Sequence, residues 1–305
     1  MLNYTLKRLL TMIPTLLVVI TLTFFLMRVA PGGPFDEERP LAPAVLENIR
    51  ASYGLDKPLI EQYWTYMGNL IQGDLGPSFV YRDKRVHEVL GEGLPISMTL
   101  GGTALFLALC IGVLLGTVAA LNQNKRTDYL IVSFATFGIT TPSFVLAPIL
   151  TLIFALTFNL LPATGWGTPQ QMVLPVLSLA LPQIAIITRL MRGSMLEALR
   201  SDHVRTARAY GLPLTSVVGK HAMRSALLPV LSYVGPAAAA LLTGSIVVEQ
   251  IFNLPGIGRY FVSSALNRDY TMVMGTVIII STLILIFNLI VDLLYAVLDP
   301  RVRYE

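Results

Sequence analysis

The sequence predicts an all-α integral membrane protein that crosses the bilayer six times, with both termini on the cytoplasmic side. Three observations carry that reading. Of the 305 residues, 54% are hydrophobic and 13% charged, where an average soluble domain carries about 25% charged residues. Six stretches, 9–27, 96–121, 129–158, 172–191, 226–248 and 272–298, are nearly free of charge over a length that can span a bilayer. Lys and Arg gather in alternate connecting segments. Backbone in hydrocarbon must satisfy its own hydrogen bonds, and the alternating pattern of a membrane β-barrel is absent, so the spans are helices.

The first span follows Lys7 and Arg8 and resembles a signal peptide, but its apolar run is too long and no small-x-small cleavage site follows, so it reads as retained. The loop 29–95 reads as folded. Pro43 and Pro58 suit first helical turns, and Gly54 and Gly73 suit helix ends. Segment 58–72 puts Leu59, Tyr63, Met67 and Leu70 on one face, for a helix lying on the membrane interface or capping the spans. The second span carries Ala104, Ala108, Gly112, Gly116 and Ala120 every four residues, which lets another helix approach closely. Cys110, the one cysteine, reads as a small buried hydrophobe in that span.

The third run exceeds a span's length and is expected to tilt or to extend beyond the bilayer. Thr140-Thr141-Pro142-Ser143 interrupts it, with Pro148 beyond, as either a hinge and polar patch on a translocation path or a tolerated kink. The fourth and fifth spans carry Pro175 and Pro182, then Pro229 and Pro236. In the last span Asn288 and Asp292 are the polar residues. An intramembrane carboxylate is a functional candidate, although Asp292 lies within two turns of the inner end, in reach of water or a basic partner. Thr140, Thr141, Ser143, Asn288 and Asp292 are the candidates for a translocation path.

Orientation follows from the basic residues. With the N-terminus inside, the inner segments hold Lys7, Arg8, Lys125, Arg126, Arg301, Arg303 and a cluster of Arg189, Arg192, Arg200, Arg205, Arg208, Lys220 and Arg224. The loop near 159–171 has no charge, and 249–271 has Arg259 and Arg268 as its basic residues. Arg82, Lys84 and Arg85 run against this trend, in a loop too long for the rule to govern. The chain divides into a cytoplasmic N-terminus with the first span (1–28), an extracytoplasmic loop with short helices (29–95), and a five-span core (96–305) that includes a cytoplasmic loop, 192–225. Within that loop a short amphipathic element carries Arg205, Thr206, Ala207 and Arg208, and Gly211 stops it. A compact, basic, small-residue helix of this kind fits a groove on a soluble partner, and an ordinary positive-inside loop is the plainer alternative.

The net charge of +4 reflects that inner bias, and no Lys/Arg-rich run tracks a nucleic acid. There is no Walker A, His-Glu-x-x-His or Gly-x-Ser-x-Gly sequence, and His87, His203 and His221 are scattered outside the spans, so neither an enzyme centre nor a metal site is expected. An intramembrane enzyme would need a catalytic pair that Asp292 alone does not provide. A stand-alone channel or secondary transporter would be expected to show more buried charge or paired internal repeats.

The segment RTARAYGL at 205–212, followed by HA…ALLPV at 221–230, resembles the cytoplasmic signature loop of bacterial ABC-importer permeases of the oligopeptide/dipeptide branch. Ala207 and Gly211 match the second Ala and the Gly of the Glu-Ala-Ala, three residues, Gly pattern. Arg205 and Thr206 stand where its Glu and first Ala would be. LLTMIPTLLVVITLTFFLMRVAPGGPF near the start, IFNLPGIGRYFVSSALNRDY at 251–270 and VDLLYAVLDPRVRY at the end are similar to the same branch, so the resemblance covers nearly the whole chain. The PGGPF…ER version of the first loop is nearer to the oligopeptide subunit. The resemblance implies a type I ABC-importer permease fold in the bacterial inner membrane. It also implies a second, related permease, two cytoplasmic ATPases that hold the ATP and Mg, an extracytoplasmic substrate-binding protein, and no cofactor in this chain. The coupling helix would fall at about 203–214. The cargo would be an oligopeptide or dipeptide, with nickel or glutathione carried by permeases of the same type.

Overall fold

The computed structural model describes residues 2–29, 47, 54–81 and 84–298. Its helices in chain order are α1 (Leu2–Val29), α2 (Leu59–Ile71), α3 (Val86–Leu121), α4 (Arg126–Thr140), α5 (Ser143–Thr157), α6 (Pro169–Arg200), α7 (Asp202–Ala209), α8 (Leu214–Ile251), α9 (Ile257–Leu266) and α10 (Tyr270–Leu298). Among the described residues the extended pairing is one isolated bridge, Pro77 with Arg85. The helix start expected at Pro43, and Arg82, Arg301 and Arg303, lie outside the described residues.

Helices α1, α3, α6, α8 and α10 are each long and apolar enough to cross a membrane, and α4 with α5 meets the same test as a pair bent by 105°. Two contacts fix that pair's direction. Arg200 Nη2 at the end of α6 lies 3.4 Å from Gln123 Oε1 at the end of α3. The Gly165 amide, in the loop before α6, donates to Phe252 O just past α8 at 3.2 Å. The chain therefore enters α4 at one end of the bundle and leaves α5 near the other, which makes a sixth crossing. We call the first end, with residues 122–125 and α7, the basic end, and the second the α9 end.

The long third run is divided by a sharp break. Pro142 has no amide hydrogen, and a residue before proline is pushed out of the helical region. Thr141 accordingly sits at φ −97°, ψ 114°. The hydroxyls of Thr140 and Thr141 both donate back to Phe137 O, at 3.0 and 2.9 Å. Beyond the break the last turns, Thr151–Thr157, are π-helical. Pro175 and Pro182 in α6, and Pro229 and Pro236 in α8, sit inside uninterrupted helices.

Helix α6 is the hub and packs on α3, α4, α5 and α8. Its N-terminus is set by a capping box, in which the Thr168 amide donates to Gln171 Oε1 at 3.1 Å, with Pro169 opening the helix. The small-residue stripe of α3 is where α6 lands. A Cβ on Gly112 would stand 2.7 Å from Ile187 Cγ2, and one on Gly116 would stand 2.6 Å from Met191 Cβ and 2.7 Å from Thr188 O. Gly138 of α4 makes the same close approach to Ala185. Cys110 is exposed, against expectation. It sits two residues from Ala108 and Gly112, about 200° around the helix, so it points away from the face that α6 buries.

Helix α2 lies against α1 and α10. Tyr63, Tyr66, Met67 and Leu70 meet Ile20, Phe24 and Phe25 of α1 and Met274 and Ile278 of α10. Leu59, expected on that face, remains exposed. The helix ends where Gly73 takes φ +80°.

Candidate functional site

The basic end carries an elbow. Helix α6 stops at Ser201, whose extended backbone (φ −67°, ψ 154°) turns the chain into α7. Asp202 in the first turn and Arg208 in the last complement the helix dipole. Val204 and Ala207, three residues apart, are buried with Val217, Val218 and Ala222 of α8. Arg205, Thr206 and Arg208 point outward. The end of α7 is a Schellman motif, in which the Gly211 amide donates to Arg208 O at 2.9 Å and the Leu212 amide to Ala207 O at 3.4 Å. Gly211 takes φ +71°, and a Cβ there would meet nothing within 4 Å. The glycine is therefore held by backbone conformation and not by crowding. Of the expected coupling residues, Ala207 faces the chain's own core at 5% exposure, so it positions the elbow from within. The outward surface includes three residues that the sequence reading missed: Tyr210 (81% exposed), Leu212 and Leu214. Their signal was a Tyr-Gly-Leu-Pro-Leu run lying outside any span.

An ion pair fixes the base of the elbow. Asp128 of α4, 2% exposed, receives Arg192 of α6 through Nε–Oδ1 at 2.6 Å and Nη2–Oδ2 at 2.7 Å, and the Asn124 amide at 2.9 Å. A bidentate guanidinium–carboxylate pair fixes angle as well as distance. The segment of α6 that leads into α7 is thus held to α4 as well as to α3.

The translocation-path candidates do not converge on one packed surface. Thr140, Thr141 and Ser143 sit at the break between α4 and α5, which pack on α6. Asn288 and Asp292 are on α10, which packs on α1, α8, α9 and α3. Asn288 Oδ1 leans on α8, where it would stand 2.8 Å from a Cβ on Gly235. Asp292 Oδ2 is paired with Arg8 Nη2 at 2.6 Å and Nε at 2.7 Å, joining the start of α1 to the last turns of α10.

At the α9 end, two fully buried carboxylates gather backbone amides. Glu249 of α8 accepts Ser97 Oγ of α3 at 2.7 Å, and the amides of Gly258 at 2.8 Å and Arg259 at 3.4 Å. Ser97 Oγ in turn accepts the Ile257 amide at 2.9 Å. Glu249 and Ser97 therefore satisfy the first turn of α9 from two different spans. Side chains at Gly256 and Gly258 would collide with the Glu249 carboxylate. Asp269 accepts Ser78 Oγ at 2.5 Å, the amides of Phe79 and Val80 at 3.1 and 3.2 Å, Thr271 Oγ1 at 3.0 Å, and the Met272 amide at 3.1 Å. It thereby ties the segment before α3 to the start of α10. The fifth apolar run closes one residue before Glu249, which is why the sequence reading passed over it. The nearby Pro-Gly-Ile-Gly was the available signal. Among the described residues no group of three or more His, Cys, Asp or Glu stands close enough to hold a metal.

A bundle with five helices able to cross a membrane, and a sixth if the bent pair is one span, is that of a multi-pass membrane protein. The chain belongs to the family of binding-protein-dependent transport system inner membrane components, which matches residues 112–304, and the family's N-terminal part matches 1–101. It is therefore a multi-pass inner membrane protein and a permease subunit of a larger ABC importer. Relatives include the oligopeptide transport system permease protein OppB of Haemophilus influenzae, 51% identical over the full length of both chains. The protein of that name from Escherichia coli K12 is 49% identical, also over both full lengths. The dipeptide transport system permease protein DppB of Bacillus subtilis is 46% identical over 99% of this chain and 98% of its own. Among solved structures, a chain of the MetNI methionine ABC transporter matches 69% of this chain and 96% of its own at a TM-score of 0.59 and 13% identity. A chain of an amino acid ABC transporter matches 70% and 94% at 0.52 and 17%. These structural likenesses establish the fold, that of type I ABC-importer permeases.

Proposed function

We propose that this chain is one of two related permeases that form the pathway of an ATP-driven oligopeptide importer, oriented with both termini in the cytoplasm. Full-length similarity to permeases named for oligopeptide and dipeptide transport carries this reading. Two cytoplasmic ATPases supply ATP and Mg chemistry that this chain lacks motifs for, and an extracytoplasmic binding protein delivers the peptide. The elbow is the coupling element. Arg205, Thr206 and Arg208, with Tyr210, Leu212 and Leu214, form the surface that seats in one ATPase, while Ala207 and Gly211 hold that surface in shape. Closure of the ATPases then moves α6 and α8, between which the elbow is strung, and so biases the bundle between inward- and outward-facing states. Thr140, Thr141, Ser143, Asn288 and Asp292 remain candidates for contact with the pathway.

The test is uptake of labelled oligopeptide by cells carrying Gly211→Val. Loss of uptake, with normal membrane levels and normal assembly, is the expected result. Full uptake refutes the coupling role.

A further inference from the structure

We propose that α2 is an interfacial anchor, its free apolar strip seated in the lipid leaflet at the α9 end. The packed face of α2 centres on Tyr63 and Leu70. At about 100° per residue, Ile60, Trp64 and Ile71 fall together on the flank of that face. They are 57%, 65% and 83% exposed. Further round lie Glu61, Thr65 and Gln72, also exposed. The apolar arc is thus wider than the contact with α1 and α10 requires, and its surplus lies to one side rather than on top. A helix that only capped the bundle would be polar there.

Depth identifies what lies beside it. Tyr63 Oη is 2.9 Å from Thr21 Oγ1. Thr21 is two turns, about 12 Å, inside the end of α1 at Val29. Arg28, one residue from that end, reaches Gln62 Oε1 at 3.1 Å. Helix α2 therefore lies alongside the last turns of a membrane span. That part of α1 also carries exposed apolar residues, Leu22, Leu26 and Val29. Trp64 stacks edge-on to Tyr63, and amphipathic aromatic rings favour the headgroup boundary. Such a strip in lipid, with Glu61 and Lys57 kept in water, is the arrangement of a helix lying in the interface plane.

The experiment places p-benzoylphenylalanine at position 64 or 71, with position 61 as the water-facing control, in the whole assembled transporter in native membranes. After illumination, mass spectrometry of the chain reads the adducts. Phospholipid adducts at 64 and 71, without one at 61, are expected. Crosslinks from 64 or 71 to another protein chain, or no adduct at either position, overturn the anchor. Neither outcome alters peptide uptake, so this result stands apart from the proposed function.

Discussion

The two ends of the bundle are built on opposite principles. At the α9 end the chain closes on itself. Glu249 and Asp269, each fully buried, collect amides and hydroxyls from segments far apart in sequence, and glycines clear the space around the Glu249 carboxylate. At the basic end only the inner side of the elbow is closed, through Val204, Ala207 and the Asp128–Arg192 pair, while Arg205, Arg208, Tyr210, Leu212 and Leu214 are exposed. One end spends its polar groups on internal rigidity. The other is held from beneath and exposed on top, as the proposed docking surface requires.

Substitutions can break this contrast, and the largest effect is expected at the base of the elbow. Arg192→Ala removes both guanidinium bonds from Asp128 and leaves it the Asn124 amide, a loss of about 3 kcal/mol, the upper end for hydrogen bonds to a charged group. Thermal unfolding of the detergent-solubilised transporter should show a large loss of stability. Glu249→Ala comes next, because it leaves Ser97 and the amides at the start of α9 without their acceptor. Lost hydrogen bonds to a charged group cost about 1.5–3 kcal/mol, and hydrogen exchange should rise selectively in 257–266. Gly116→Leu follows, with an expected loss of about 1–3 kcal/mol from overpacking against α6. Gly102→Ala, where a Cβ meets nothing within 4 Å, is the matched control and should be silent. Gly211→Val should cost stability least, about 1–2 kcal/mol for a side chain in the left-handed region. It should nevertheless abolish uptake, because it distorts a surface rather than a core. If stability and uptake instead fall in parallel across all four variants, the division between a closed end and a presented end is wrong.

Much of the architecture was legible because hydrocarbon leaves the backbone few choices. The six charge-poor runs correspond to the six crossings, and the four-residue spacing from Ala104 to Ala120 marks the α3 face on which α6 packs. One feature was legible only in part, and another escaped, for physical reasons. The break at Thr141–Pro142 was visible as a proline, but a proline in a membrane helix can kink it or leave it continuous, as Pro182 and Pro229 do. Glu249 escaped because burial of its carboxylate depends on Ser97, 152 residues away, and on a loop fold that no local pattern reports. At the elbow, residue types pointed to the segment that projects from the bundle but not to which side of it faced outward. Ala207 is small because it is packed, while the exposed aromatic and apolar residues flank the glycine.

The most direct measurement is a crosslink from the elbow in the assembled transporter. Tyr210→Cys in a Cys110→Ser background would be treated with a short bifunctional reagent, in the presence and absence of nucleotide. The account predicts one dominant product that joins position 210 to an ATPase subunit. A chain that yields no such product, while still assembling and transporting, would contradict it.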